Sequence, residues 1–206
     1  PGALEQHLEE SLATVFAAIG MVTRVSVSHY PRIDDSYNED RHQHASGPYL
    51  RFLDAINLND PDMIKLGIAD VDLYSDSRSS LTFIFGEARV GGDCCVISTR
   101  RLDPRFYGLE FNKTLYHARV LKEAVHELGH VLGLPHCNDV RCIMHFSNCI
   151  EDTDIKHVQP CDACARELGK NVKKREASRV FTRERGSGPG SRPCTPSAGP
   201  VRGGNP

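Results

Sequence analysis

The stretch from residue 124 to residue 137 reads AVHELGHVLGLPHC and contains three histidines in a short span. His126 and His130 are four residues apart, so on a helix their imidazole rings project from the same face. Two ring nitrogens placed in this way can reach one tetrahedral zinc ion, whose bonds to histidine are about 2.0–2.1 Å long. Glu127 is rotated away from that row by one residue. Its carboxylate can therefore act as a general base on water activated by the metal.

A third zinc ligand is available just after this helix. His136 lies six residues past His130, and Gly133 between them permits a sharp reversal of the chain. The pattern H-E-x-x-H-x-x-G-x-x-H followed by a methionine turn is typical of metzincin peptidases, and Met144 follows His136 by eight residues. Three neutral histidines leave one coordination position open, which a catalytic zinc site requires. The sequence therefore predicts a catalytic zinc centre.

Hydrophobic periodicity places this motif in a domain of mixed secondary structure. Apolar residues spaced by three and four predict helices, over residues 3–18, 49–58, 112–133 and 162–172. Runs that alternate or are rich in β-branched residues predict strands, over residues 22–28, 65–73, 81–85 and 94–98. The polar stretch 36–47 is expected to be a loop. This order of elements predicts an α+β fold with a small mixed β-sheet backed by helices.

Four cysteines close together in the C-terminal half form a second cluster. They form two pairs, Cys137 with Cys142 and Cys161 with Cys164. Four thiolates in two close pairs can form a closed tetrahedral site suited to structural zinc, with Zn–S bonds near 2.3 Å. Such a site would tie the irregular segment 137–160 to the helix after it. Disulfides or buried free thiols are the alternative interpretation. Cys149 lies between the pairs and could replace one member.

Two cysteines and two histidines upstream of these clusters are not expected to bind metal. Cys94 and Cys95 lie in a predicted strand and should be buried core residues. His42 and His44 lie in an acidic loop, where solvated side chains are commoner than a metal site.

The whole motif resembles one known family. The run HELGHVLGLPHCNDVRCIM over residues 126–144, followed by CDAC at 161–164, is similar to the archaemetzincins, which are metzincin-type zinc metalloproteases. The resemblance implies a metzincin-like zincin fold in which a zinc-stabilised Met-turn region follows the active-site helix. It implies Glu127 as general base and Met144 as the Met-turn residue. It also implies two sets of zinc ligands: His126, His130 and His136 for the catalytic ion, and Cys137, Cys142, Cys161 and Cys164 for the structural ion.

Composition changes sharply near the C-terminus. Residues 186–206 contain six glycines and five prolines among 21 residues and almost no apolar side chains, a composition that cannot bury enough surface to fold. Charge is also uneven, because residues 172–206 carry eight Lys and Arg against two Glu. We therefore predict one peptidase domain over residues 1–172, with a structural-zinc subregion at 137–164, and a basic, disordered tail over 173–206.

These observations predict a zinc-dependent metallopeptidase with two zinc ions per chain and a peptide or protein as its partner. The edge most suited to accept a peptide as an added strand is 81–92; endopeptidase and aminopeptidase activity both remain open. The alternative is a two-zinc module for protein or nucleic-acid interaction with little catalysis, which has no need of Glu127. We expect a monomeric, cytoplasmic protein. We expect no membrane partner, because no window reaches 18 uncharged apolar residues.

Overall fold

The computed structural model describes residues 2–18, 20–21, 26–31, 33–56, 63–78 and 80–186, with side chains described as far as residue 177. Its helices, in chain order, are α1 Ala3–Ala17, α2 Ser46–Ala55, α3 Lys113–Val131, α4 Ile150–Ile155 and α5 Asp162–Gly186. Its strands are β1 Tyr37–Asn38, β2 Gln43–Ala45, β3 Lys65–Ala69, β4 Leu73–Tyr74, β5 Gly86–Ala88 and β6 Cys94–Ser98. Short 3₁₀ turns cover Asp34–Ser36 and Pro104–Tyr107.

The sheet that positions the site has three strands in the order β3-β6-β5. The central strand β6 pairs with β3 in parallel and with β5 antiparallel, so the sheet is mixed, as predicted. Every residue of β6 is buried because helices and neighbouring strands cover both of its faces. β5 is an edge strand of this sheet. A second small sheet has the order β1-β2-β4.

Helix α3 crosses the sheet and carries the histidine motif. Its N-terminus is capped by Asn112, whose side-chain oxygen accepts a hydrogen bond of 3.0 Å from the amide of Leu115. Its second half is buried almost without interruption, and the apolar residues there pack on α1 and on the sheet. The core shared by these elements includes Leu12, Ile97 and Val120.

The end of α3 is a Schellman turn, which directs the chain back towards the metal ligands. Gly133 has a φ of +85°, a left-handed conformation that favours glycine. The amide of Gly133 donates to the His130 carbonyl over 2.9 Å, and the amide of Leu134 donates to the Gly129 carbonyl over 2.9 Å. These two bonds satisfy carbonyls that the helix end would otherwise leave unpaired.

Most predicted elements are confirmed, and three differences lie in the middle of the chain. The predicted strand 81–85 is wrong: that segment makes one bridge, from Ile84 to Leu73, and the ladder with β6 begins at Gly86. The predicted loop 36–47 contains β1 and β2, and the strand 65–73 divides into β3 and β4. Apolar content alone could not distinguish a strand from an irregular segment facing a cleft.

The two ends of the chain are only partly described. Residues 22–25 of the predicted strand 22–28 lie outside the described residues, and residues 26–28 are not a strand. The last helix continues past residue 172 to Gly186, because its Lys, Arg, Glu and Ala residues favour helix even without an apolar face. Residues 187–206 of the predicted tail also lie outside the described residues, and the division at residue 172 stays a prediction. No helix in the described ranges is long and apolar enough to cross a membrane.

Candidate metal centres and active site

The three predicted histidine ligands meet at one point beside helix α3. One ring nitrogen of each of His126, His130 and His136 lies within 4.8 Å of the others. The Nε2 atoms of His126 and His130 are 3.2 Å apart. In a regular tetrahedron with bonds of 2.0–2.1 Å, two ligand nitrogens are about 3.3 Å apart. The spacing therefore fits a zinc ion without rearrangement of the pair.

Backbone carbonyls orient two of the rings. Nδ1 of His126 lies 2.7 Å from the carbonyl oxygen of Ile143, and Nδ1 of His130 lies 2.7 Å from that of Leu134. When Nδ1–H donates to a carbonyl, Nε2 carries the lone pair and can bind a metal. The Schellman turn therefore places the Leu134 carbonyl where it orients the ring of His130.

The neutral form, which a metal requires, is favoured at all three histidines, of which His126 and His130 are buried and His136 is exposed to the cleft. Burial lowers the pKa of His126 well below its ordinary value, and it also lowers the pKa of His130. The pKa of His136 is lowered to about 4, first by burial and then by the neighbouring His130. A site that favours neutral imidazoles does not have to displace protons when a metal ion binds.

Met144 lies beneath the histidine cluster and is completely buried. It packs against Gly129, so closely that a Cβ atom added at Gly129 would overlap the Met144 sulfur. The glycine between the two helical histidines therefore has a packing function, since it lets the methionine lie directly under the ligand row. This agrees with the predicted position of Met144 in a turn after the third histidine.

Glu127 is buried beside the histidines and has an oxygen available for chemistry. Its side chain is 4% exposed, and among the described residues nothing donates a hydrogen bond to its Oε2 atom. Its pKa is raised well above the usual range, first by burial and then by the nearby carboxylate of Glu123. A buried, unpartnered carboxylate oxygen in a protein interior calls for an explanation, and a metal ion and a water molecule beside it would provide one.

Two further buried charged residues adjoin Glu127. Glu123 precedes it by one helical turn and is 3% exposed, and Lys156 is 2% exposed and donates a hydrogen bond of 3.1 Å to the His145 carbonyl. Burial raises the pKa of Glu123, an effect that the Lys156 ammonium opposes. Sequence reasoning missed both residues. The i, i+4 spacing of Glu123 and Glu127 was a signal for the first, whereas Lys156 comes from a distant loop with no local signal.

A cleft of about 280 Å³ opens over these groups. Helix α3 contributes Glu127 and two of the histidines to its lining, while β5 and the segment leading into it form another wall. Arg78 and Phe146 also line it, and the ring of Phe146 packs against His136 with 5.0 Å between centroids. The cleft thus gives a ligand access to the histidines and to the free oxygen of Glu127.

The four predicted cysteines form a separate cluster. The sulfur atoms of Cys137, Cys142, Cys161 and Cys164 all lie within 4.8 Å of one another. The sulfurs of Cys137 and Cys161 are 3.9 Å apart, whereas tetrahedral zinc with bonds of 2.3 Å separates two sulfurs by about 3.8 Å. The amide of Cys161 also donates to the Cys142 sulfur over 3.3 Å. The described cysteines form no disulfide, and the exposed Cys149 is not part of the cluster.

Other residues weighed from the sequence lie apart from both clusters. Cys94 and Cys95 are 0% exposed, as predicted, and burial raises the pKa of Cys94 to about 12. His44 lies 2.7 Å from the Ser36 hydroxyl through Nδ1. Neither it nor His42 belongs to a cluster of potential metal ligands among the described residues.

The sequence and the fold of this chain are similar to those of known peptidases. The model of peptidase family M54 matches residues 18–170. An archaemetzincin of Pyrococcus abyssi is 39% identical over 173 residues, which cover 84% of this chain and 90% of that protein. The fold is similar to the crystal structure of archaemetzincin from Methanopyrus kandleri, with a TM-score of 0.67 and 31% identity over 83% of this chain and 87% of that one. It is also similar to a zinc-dependent peptidase from Methanocorpusculum labreanum, with a TM-score of 0.69 and 26% identity over 82% and 94% of the two chains.

Proposed function

The chain belongs to peptidase family M54 and is a zinc metallopeptidase, and from this we propose that His126, His130 and His136 hold its catalytic zinc ion. The observation that carries the proposal is the convergence of three neutral imidazoles beside a buried carboxylate with one unpartnered oxygen. The 3.2 Å between two of the ligand nitrogens supports zinc as the ion, because it is close to the edge of a zinc tetrahedron.

Glu127 is the general base in this proposal. When bound, zinc supplies a Lewis acid that acidifies water and polarises a peptide carbonyl. Glu127 accepts a proton from the attacking water at Oε2 and then returns it to the leaving amine. Burial and the neighbouring Glu123 raise the pKa of Glu127. The Glu127 carboxylate is therefore a stronger base than an exposed glutamate, which favours the first transfer, from water to Oε2.

The cysteine cluster is proposed to hold a second, structural zinc ion. Four sulfur donors complete a tetrahedron and leave no position for a substrate, in contrast to the three-histidine site. The ligands come from the segment after α3 and from the start of α5, so a zinc ion there would fix the segment that carries Met144 and the Ile143 carbonyl. Loss of this ion would then disturb the orientation of His126.

The substrate is a peptide or protein, and we infer that its backbone lies along β5. This strand pairs with β6 on one side, and the described residues place no strand along its other side. At Gly86 the strand comes so close to Glu127 that a Cβ atom there would lie 2.6 Å from the Glu127 Cγ. A peptide added as a further strand would therefore pass in front of the proposed base.

Zinc content and cleavage activity test the two sites separately. We expect elemental analysis to give about two zinc ions per chain for the wild type and about one for His130→Ala. His117→Ala is the matched control, because His117 lies on the same helix outside the ligand cluster. Glu127→Gln should keep both ions, and its rate of cleavage of a fluorogenic peptide should be at least about 10²-fold lower than that of the wild type. One zinc ion in both wild type and His130→Ala would refute the histidine site.

The same variants test the alternative of an interaction module with little catalysis. If Glu127→Gln keeps zinc and cleaves peptides as fast as wild type, the proposed general base is wrong. A module without catalysis would also show no cleavage in the wild type, whatever its zinc content.

A further inference from the structure

Arg78 is an exposed cation at the mouth of the cleft. It lies between β4 and β5 and lines the same cleft as His130, His136 and Glu127. In the part of the chain that the structure describes, no carboxylate lies within ion-pair distance of its guanidinium. Other arginines of this domain, such as Arg101 and Arg119, each have an aspartate partner. Arg78 is therefore available to a ligand in a way that these arginines are not.

The segment leading to Arg78 is anchored to the strand that we assign to substrate binding. The hydroxyls of Ser75 and Ser77 each donate a hydrogen bond of 2.9 Å to Oε1 of Glu87 on β5. The carboxylate of Asp76 accepts a hydrogen bond of 3.1 Å from an amide in the first turn of α2. These contacts fix three consecutive residues before Arg78, so its backbone is held against β5 and α2.

Lys156 lines the same cleft as Arg78. Two cations therefore flank the site, Lys156 buried near its floor and Arg78 exposed at its opening.

We propose that Arg78 is a specificity-determining residue that selects peptide substrates with a carboxylate close to the scissile bond. A guanidinium offers a planar pair of donors that matches a carboxylate, and such a pair strengthens when a substrate covers it. The carboxylate can belong to an acidic side chain or to a free C-terminus. The inference rests on the proposed function, because it assumes that the peptide occupies this cleft.

A matched set of fluorogenic peptides tests the proposal and separates the two sources of the carboxylate. One series replaces Gln by Glu at each of the four positions around the cleaved bond, and the other compares a free C-terminus with its amide. For the wild type we expect kcat/KM to be about tenfold higher for the carboxylate at one of these positions. In Arg78→Ala this ratio should fall to about one.

A charge reversal provides the sharper result. Arg78→Glu should prefer Lys over Glu at the same peptide position, whereas loss of packing alone would not reverse a preference. Arg51→Ala is the control, because Arg51 is an exposed arginine on α2 that does not line the cleft. An unchanged Glu-to-Gln ratio in Arg78→Ala overturns the proposal.

Binding gives a readout that does not need turnover. In the Glu127→Gln background, fluorescence anisotropy should show the Glu peptide binding more tightly than the Gln peptide, and addition of Arg78→Ala should remove the difference. If the wild type cleaves no peptide but this binding difference is present, the catalytic proposal fails and the role of Arg78 stands. If both peptides bind equally to Glu127→Gln, the role of Arg78 is wrong.

Discussion

Replacement of Gly86 by alanine should impair catalysis without loss of the fold. Gly86 lies on the edge strand β5, and a Cβ atom added there would be 2.6 Å from Cγ and 2.8 Å from Oε1 of Glu127. To restore an ordinary contact of 3.4 Å, the Glu127 side chain or the strand has to move by about 0.8 Å. Glu127 is 4% exposed, so the carboxylate has little free space to move into.

The size of the effect follows from that displacement. A misplacement of a catalytic group by about 1 Å lowers rates by roughly 10²-fold. We therefore expect Gly86→Ala to lower kcat by roughly 10²-fold in a steady-state assay with a fluorogenic peptide, while zinc content stays at the wild-type value. The backbone conformation of Gly86 is not left-handed, so alanine introduces no φ strain.

Gly169→Ala is the matched control. Gly169 lies in α5 and a Cβ atom added there would meet nothing within 4 Å, so alanine should keep wild-type activity and raise stability by about 0.5–1 kcal/mol. A kcat for Gly86→Ala within about threefold of wild type would refute the close approach of β5 to Glu127. A loss of zinc or of cooperative unfolding in Gly86→Ala would show that the damage is structural, and the assignment of Glu127 would then have to rest on other variants.

Three other outcomes are expected from the same structure. Cys161→Ser should remove one zinc ion, leave the other, and lower the melting temperature sharply. The reason is that a structural zinc ion stabilises the folded state by on the order of 10 kcal/mol. Unchanged zinc content would contradict the cysteine site. Glu87→Ala removes the acceptor of three serine hydroxyls and should cost about 2–4 kcal/mol in the free energy of unfolding, measured by urea denaturation. No loss of stability would exclude the anchor. Iodoacetamide at pH 8 should modify the exposed Cys149 and not Cys94. Cys94 is fully buried, and its pKa of about 12 leaves about one thiol in ten thousand ionised at that pH. Detection of modified Cys94 in the folded protein by mass spectrometry would contradict its burial.

The sequence by itself determined the family, the α+β class and the candidate ligand sets. These rest on local rules: spacing of four on a helix places His126 and His130 together, Gly133 permits the turn to His136, and paired cysteines are typical of zinc sites. Helix α3 and strand β6 were also predictable, because each has a continuous apolar pattern that burial on a sheet requires. The structure brings together the residues that these rules selected.

Tertiary structure alone decided the surroundings of the ligands. The register of β5 places Gly86 against Glu127, a distant loop supplies the buried Lys156, and the anchored segment after β4 brings Arg78 to the cleft. None of these residues has a partner nearby in the sequence, and their neighbours are set by sheet register and by loop paths that periodicity does not encode. The physical reason is that local spacing fixes which side chains share one helix face, whereas the contacts between elements depend on how the whole core packs.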